Sequence, residues 1–263
     1  MGRGFGIAAA VAHDVTRQVA QEAEQLGYTS FWVNDTPGAD GLAALAAAAE
    51  VTDRIRLGVG VVALDRRPPE TVAADVVRLG LPQERLWLGV GSGGDPKGLK
   101  RVKAGVELLH QQVSAPVVIG ALGPRMSALA GEVAEGVLFN WQTPEFAATS
   151  GQWVLDAADA AGRPRPLLMA FVRCALLPQA EARLAQESGR YASFPKYAAH
   201  FERMGVDARG TTIASDDPAV LRAGMARHEA VLDEAIVRAI TADDSAASIL
   251  ELLHACAPVM GGA

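Results

Sequence analysis

The chain alternates short β-type runs with helical stretches, and this alternation limits its possible folds more than any other feature. Strand-like segments are FGIAAAV from Phe5, SFWVND from Ser30, IRLGVGVVAL from Ile55, RLWLGVG from Arg85, PVVIGAL from Pro116, GVLFN from Gly136, PLLMAFVRCAL from Pro166 and EAIVRAI from Glu234. They are apolar with little period-2 polarity, as strands of a parallel sheet covered on its outer face should be. The segments between them carry helix start and stop signals. Asp14 is expected to cap VTRQVAQEAEQL, whose Val15, Val19 and Leu26 recur at helical spacing, and Gly27 ends it. Pro68 and Pro69 open ETVAADVVRL, closed by Gly80, and Pro124 opens RMSALAGEVA. Thr143, Pro144 and Glu145 open a helix running to Gly162.

Eight strands in βα order predict a closed (β/α)8 TIM barrel, one domain over residues 1–263. The rival is an open doubly wound sheet, whose G-x-G-x-x-G fingerprint follows the first strand. Here Gly89, Gly91 and Gly94 have that spacing but follow the fourth. The stretch from about Glu181 to Glu229, with Tyr191, Phe194, Tyr197 and Phe201, reads as a helical insertion before the last strand, a lid or an interface.

Composition then excludes whole classes of function. At 263 residues, 50% hydrophobic and 21% charged, the chain has ample material for one large core. Its net charge of −6, with no basic stripe, argues against a nucleic-acid partner. Cys174 and Cys256 have no CxxC or Cys/His companion and are expected as free thiols in a reducing compartment. No histidine has metal-ligand spacing, so no metal site is expected. Apolar runs fall short of the roughly 20 residues of a membrane span, and the opening MGRGFGIAAAVAHD is shorter than the roughly 15–30 residues of a signal peptide. The expectation is a cytoplasmic protein acting on a small molecule.

In such barrels chemistry sits at the carboxyl ends of the strands. Those ends deliver Ala12, His13 and Asp14; Asn34, Asp35 and Thr36; Val62 to Asp65; Gly91, Ser92, Gly93 and Gly94; Ala121, Leu122 and Gly123; and Asn140, Trp141 and Gln142. Gly123 followed by Pro124 leaves free N–H groups at a helix start, and Arg125 adds a cation, a combination that favours an anion or is simply a well-made helix N-terminus. The turn Gly91–Gly94 offers further backbone donors. Asp35 has three roles open: orienting a ligand, capping the short helix near Gly41, or pairing with a loop arginine. His13 suits proton transfer near neutral pH, and is equally an ordinary neighbour of a helix start. Trp141 either stacks on a ligand ring or closes the barrel top, and Arg173 and Arg238, inside apolar strands, each need a partner. Ser92 lacks a G-x-S-x-G elbow and is a poor nucleophile.

The blocks GYTSFWVND, TDRIRLGVGVV, RLWLGVGSGG, LKRVKAGVELL and APVVIGALGPRMSALAGEVAEGVLFN resemble, in order, those of the bacterial luciferase-like monooxygenase superfamily, in particular its deazaflavin (coenzyme F420)-dependent branch. The resemblance runs from Phe5 to about Gly162 and resumes weakly at DEAIVRAITADD. It implies a flavin- or deazaflavin-dependent oxidoreductase, F420 before FMN, moving hydride to or from a small organic substrate. It also implies that Asp35 lies at the site, with His13 as a substitute base. A non-prolyl cis peptide at Gly60–Val61 would cradle the ring, Gly91, Ser92 and Gly93 would form a small-residue turn, and Ala121, Leu122 and Gly123 would take the cofactor phosphate. A homodimer is expected from the family. Thr36 stands where many relatives have histidine, Gly94 replaces an acid, and Gln112 runs almost directly into Pro116, predicting a shallower pocket. The alternative is a degenerate member that binds cofactor or metabolite without turnover.

Overall fold

The structure, a computed structural model, describes residues 2–95 and 97–258. In chain order the elements are β1 (Gly2–Ile7), α1 (His13–Gln25), β2 (Ser30–Val33), α2 (Gly41–Ala49), β3 (Arg56–Ala63), α3 (Pro69–Arg78), β4 (Leu86–Gly91), α4 (Gly98–Gln112), β5 (Val117–Ala121), α5 (Pro124–Val133), β6 (Gly136–Asn140) and α6 (Pro144–Ala160). There follow β7 (Leu167–Leu176), α7 (Glu181–Ala192), α8 (Pro195–Met204), β8 (Ile213–Ser215), α9 (Pro218–Glu229), β9 (Glu234–Ile240) and α10 (Ala246–Ala255).

β1 to β7 and β9 pair in parallel, and the β6–β7, β7–β9 and β9–β1 ladders close the ring. The (β/α)8 barrel is therefore the observed fold. β8 lies outside the eight, on the edge of β7 that β6 leaves free beyond Phe171. Within the 181–229 span, then, α7 and α8 form the excursion proper. α9 instead returns to the helical ring, against β7, β8 and β9.

Period-2 alternation separates two apolar layers. Phe31, Val33, Val117, Ile119, Val137, Phe139, Ala170 and Val172 face the helices, whereas their neighbours Trp32, Val118, Leu138, Met169, Phe171 and Ile236 form a second cluster inside the barrel. At the strands' amino ends the lumen is closed by Glu234, 2% exposed, which accepts hydrogen bonds from Thr29 Oγ1 (2.8 Å), Ser30 Oγ and Arg56 Nη2 (3.2 Å).

Two local expectations change. β1 begins at Gly2 and ends at Ile7, because its ladder with β9 starts at Gly2 opposite Glu234. Asp14 does not cap α1: the N-cap is Ala12, without a side-chain cap, and Asp14 lies in the first turn, where its charge still complements the helix dipole. Cys174 and Cys256, 82 positions apart in sequence, meet in the core; hydrogen bonding to Cys256 and burial raise the Cys174 thiol well above its ordinary value. Such a thiol is unreactive.

Candidate active site at the barrel mouth

Asp35, Gly91, Ser92, Gly93, Ala121, Leu122, Gly123 and Arg125 all lie at or just beyond the carboxyl ends of β2, β4 and β5, on one face of the barrel. Gly60 and Val61 sit within β3, whose register against β4 shifts between Val59 and Val62. The Gly60–Val61 peptide is cis. This bulge turns the Val59 carbonyl toward β4: a Cβ on Gly89 would lie 2.1 Å from Val59 O, so only glycine fits there. Val61 leans over Gly91 and Gly120, whose Cβ positions would be 2.8 and 3.0 Å from its methyl groups. The glycines of β4 and β5 thus make room for the bulge.

Asp35 pairs with the loop arginines and supports the start of α2, whose N-cap is Asp40. The Asp35 side chain is 4% exposed and accepts from Gly41 N (3.1 Å), Arg66 and Arg67 Nη1 (3.5 Å). Arg67 also pairs with Asp40 (2.7 Å) and Asp75 (3.0 Å). Burial disfavours the charged form of Asp40, but Arg67 and the N–H groups of Ala43 and Leu42 overcome this and hold its carboxyl below the usual range. Thr36 closes a tight turn by exchanging backbone hydrogen bonds with Ala39, both 3.2 Å. His13 opens α1, exposed and without a hydrogen bond among the described residues. The fold leaves it on the rim.

Gly94 has no acid of its own, yet Asp65, from the end of β3, accepts its N–H at 2.7 Å. The turn after β4 therefore has a carboxylate that no reading of position 94 reveals. At β5, no side chain caps α5, and Gly123 has φ −149°, ordinary extended backbone. Arg203 of α8 donates to Leu122 O (3.3 Å), and a Cβ on Gly123 would lie 3.5 Å from its guanidinium. Pro124 has no N–H, and Met126 and Ser127 donate to Gly123 O (3.2 and 3.0 Å), which leaves the Arg125 N–H, beside the Arg125 and Arg203 side chains, as a donor set suited to phosphate.

α7 and α8 cover the mouth. Lys196 Nζ donates to Gly93 O (3.0 Å), and His200 Nε2 lies 2.9 Å from Trp141 O and 3.2 Å from Asn140 O. Trp141, 1% exposed, packs against Tyr191 and Phe201 with the Arg173 guanidinium 3.6 Å above its ring. It closes the barrel top. Beneath it, Arg173 donates to Glu187 Oε1 (2.8 Å) and Asn140 Oδ1 (2.6 Å), and Asn140 Nδ2 reaches Tyr197 Oη (3.2 Å). Burial pushes the Tyr197 hydroxyl up to about 12. Arg238 donates to Asn34 Oδ1 (2.6 Å), and Asn34 Nδ2 in turn holds Gly60 O at 2.8 Å. The cleft beside this network, lined by Arg183, Glu187, Arg238, Thr241 and Asp244 among others, has a volume of about 20 Å³, room for about one water and far below the roughly 300–1,000 Å³ of small-molecule sites.

Asn34, Asn140, Arg173 and Arg238 were visible as polar residues at strand ends or within strands. Glu187, Lys196 and Arg203 were not singled out. The one available signal was the spacing of Leu184, Ser188 and Tyr191, which marks the inner face of α7 and places Glu187 one turn before Tyr191.

His200 predicts a pH response. Both its acceptors are carbonyls, so Nε2 carries the proton and the buried Nδ1, without a partner among the described residues, does not. Burial lowers its pKa, as it does that of His228. The unfolded chain thus binds protons that the folded chain refuses. Stability is complete above the ordinary histidine range and falls as pH drops through it. Urea unfolding at pH 7 and pH 5.5 should show this loss, with a shallower dependence in His200→Gln; identical slopes would contradict it.

Among the described residues no helix is long and apolar enough to cross a membrane. The chain is 26% identical over 279 aligned positions to a 5,10-methylenetetrahydromethanopterin reductase of Methanolobus tindarius, covering 89% of this chain and 85% of that protein. Its fold is shared by the coenzyme F420-dependent tetrahydromethanopterin reductase of Methanopyrus kandleri, with TM-score 0.76, 18% identity and 95% and 96% of the two chains covered. It is also shared by the oxygenating constituent of 3,6-diketocamphane monooxygenase from Pseudomonas putida, solved with FMN, with TM-score 0.71, 14% identity and 98% and 97% coverage. The luciferase-like monooxygenase family profile matches residues 5–108 and 99–257, nearly the whole barrel, and the chain belongs to that family.

Proposed function

We propose that this protein is an F420-dependent oxidoreductase, with FMN as the alternative cofactor, that transfers hydride to or from a small organic substrate at the barrel mouth. The observation that carries this reading is the uncapped start of α5 between Arg125 and Arg203, beside the bulged β3. The donor set there fits a cofactor phosphate, held by Gly123, Arg125 and Arg203, and the Gly60–Val61 bulge offers backbone for the ring. When bound, such a cofactor supplies the two-electron chemistry, or oxygen activation in the case of flavin. This chain supplies binding, orientation and exclusion of water. The reading takes residues 1–263 as one domain, located in the cytoplasm and paired as a homodimer.

A second reading, cofactor held without turnover, is favoured by the engagement of Asp35 with Arg66 and Arg67 and by the exposed rim position of His13. The two readings share the binding site and differ only in hydride exchange.

Titration with F420 and, separately, FMN, followed by ligand fluorescence, tests the site. Gly123→Asp is accommodated by the extended backbone, places a good capping residue on α5, and puts a carboxylate beside Arg203. It should weaken cofactor binding at least tenfold with an unchanged or slightly higher melting temperature. Binding of neither cofactor, or equal binding by the variant, would sink the proposal.

A further inference from the structure

The barrel holds two arginines side by side. In the β7–β9 ladder Arg173 lies directly opposite Arg238, a placement in which like charges repel. Period 2 puts Arg173 on the same face of β7 as Phe171, and Arg238 on the same face of β9 as Ile236. Phe171 and Ile236 belong to the inner apolar cluster. The pair therefore faces the lumen, one layer above a floor of Trp32, Leu138, Phe171 and Ile236.

Among the described residues one carboxylate pairs with either of them, Glu187 with Arg173. Glu187 Oε1 lies 2.8 Å from Arg173 Nε, and its carboxyl is kept below the ordinary glutamate range because Arg238 and Arg173 outweigh the burial that opposes its charge. The other polar contacts are neutral oxygens, Asn140 Oδ1 on Arg173 and Asn34 Oδ1 and the Ala239 carbonyl on Arg238. Arg183, nearby, is matched by Asp244 at 2.7 Å. The centre of the mouth thus carries two cations and one anion, and that anion comes from the α7–α8 hairpin, not from the barrel. The cleft lined by Glu187 and Arg238 has room for about one water, so a larger anion reaches the pair only when α7 moves.

We propose that Arg173 and Arg238 form a binding site for the carboxylate of a substrate with a short apolar chain, and that Glu187 is an internal stand-in which leaves when the substrate arrives. The guanidinium pair takes the carboxylate, and the apolar floor takes the chain. Lifting α7 breaks the Glu187 contact and, with α8, releases Gly93 O and Leu122 O from Lys196 and Arg203, so that one anion opens both halves of the mouth. This assignment rests on the reading that the barrel mouth is the reaction site.

The test uses the full chain, hexanoate as probe and hexan-1-ol as its uncharged control, read by tryptophan emission, since Trp141 lies 3.6 Å under Arg173. Glu187→Gln should bind hexanoate saturably and at least tenfold more tightly than the wild type, with no response to hexan-1-ol. Adding Arg238→Met should abolish the response. No response in Glu187→Gln, an equal response to the alcohol, or a response that survives Arg238→Met overturns the proposal. Should Glu187→Gln not fold, Glu187→Asp and limited proteolysis of the wild-type hairpin serve instead: hexanoate should bind the first more tightly and speed cleavage of the second, and the absence of both effects overturns the proposal. The readout involves no F420 or FMN. Hexanoate binding without cofactor binding leaves the anion site standing and removes only the cofactor assignment; the reverse removes only the anion site.

Discussion

Trp141→Ala is expected to lower the unfolding free energy by about 3–5 kcal/mol, the range for truncating a buried aromatic. The ring is 1% exposed and packed between Arg173, Tyr191 and Phe201, so its loss leaves a cavity where the barrel meets the hairpin. It also strips Arg173 of a cation–π partner in a water-poor setting. The backbone contributes nothing to this expectation, because φ at Trp141 is 56° and alanine inherits the same left-handed conformation. Trp141→Phe should cost far less, since the indole N–H has no acceptor among the described residues and nothing polar is lost. Urea unfolding measures the first effect, and hydrogen exchange over residues 181–204 should rise in Trp141→Ala. A loss below about 1 kcal/mol, or unchanged exchange in the hairpin, would mean that Trp141 is not what holds the cover.

At the opposite end of the barrel, Glu234→Leu should destabilise by about 3 kcal/mol, the lower end for breaking a buried pair by removing one partner. Glu234 accepts from Thr29, Ser30 and Arg56, and Ser30 Oγ in turn accepts from Trp32 Nε1 at 2.7 Å. Leucine leaves the buried Ser30 hydroxyl without that acceptor, whereas Thr29 keeps the Arg3 carbonyl at 3.1 Å. Arg56 is 37% exposed and can turn to solvent, which keeps the expected value at the low end. The Arg56→Met variant should accordingly cost less than Glu234→Leu. If the two costs are equal, the ion pair rather than the buried hydroxyl network dominates. The barrel mouth is remote from this residue, so cofactor and hexanoate binding should survive at temperatures where the variant is folded.

Much of the fold was legible because its signals are local. Apolar runs without period-2 polarity, broken by Pro and Gly at helix boundaries, identify strands and helices wherever they lie, and their order then allows few topologies. Pro124 and Thr143 open helices as expected. The failures are also local in origin. Asp14 has the right chemistry for a cap, but the helix begins at His13, two residues earlier than a cap at Asp14 would place it, with Ala12 as the N-cap.

The site was legible only in part. Strand-end residues can be read from strand boundaries, so Asp35, Gly91–Gly93 and Ala121–Gly123 could be placed on one face. Which of their polar atoms are free depends on partners that arrive from elsewhere in the chain. Arg66 and Arg67 reach Asp35 from 31 and 32 positions away, Asp65 reaches Gly94 from 29, Arg203 reaches Leu122 from 81, and Cys174 meets Cys256 in the core.

The sequence by itself determined the barrel, its strand order and the ring of loops at the strands' carboxyl ends, because hydrophobic periodicity and backbone punctuation act over a few residues. Only the tertiary structure decided that α7 and α8 close the mouth, that Glu187 pairs with Arg173 opposite Arg238, and that Asp35 is already engaged. Those outcomes depend on charge pairs and packing between segments far apart in sequence, and electrostatics and close packing depend on distance in space, which no local pattern of residues encodes.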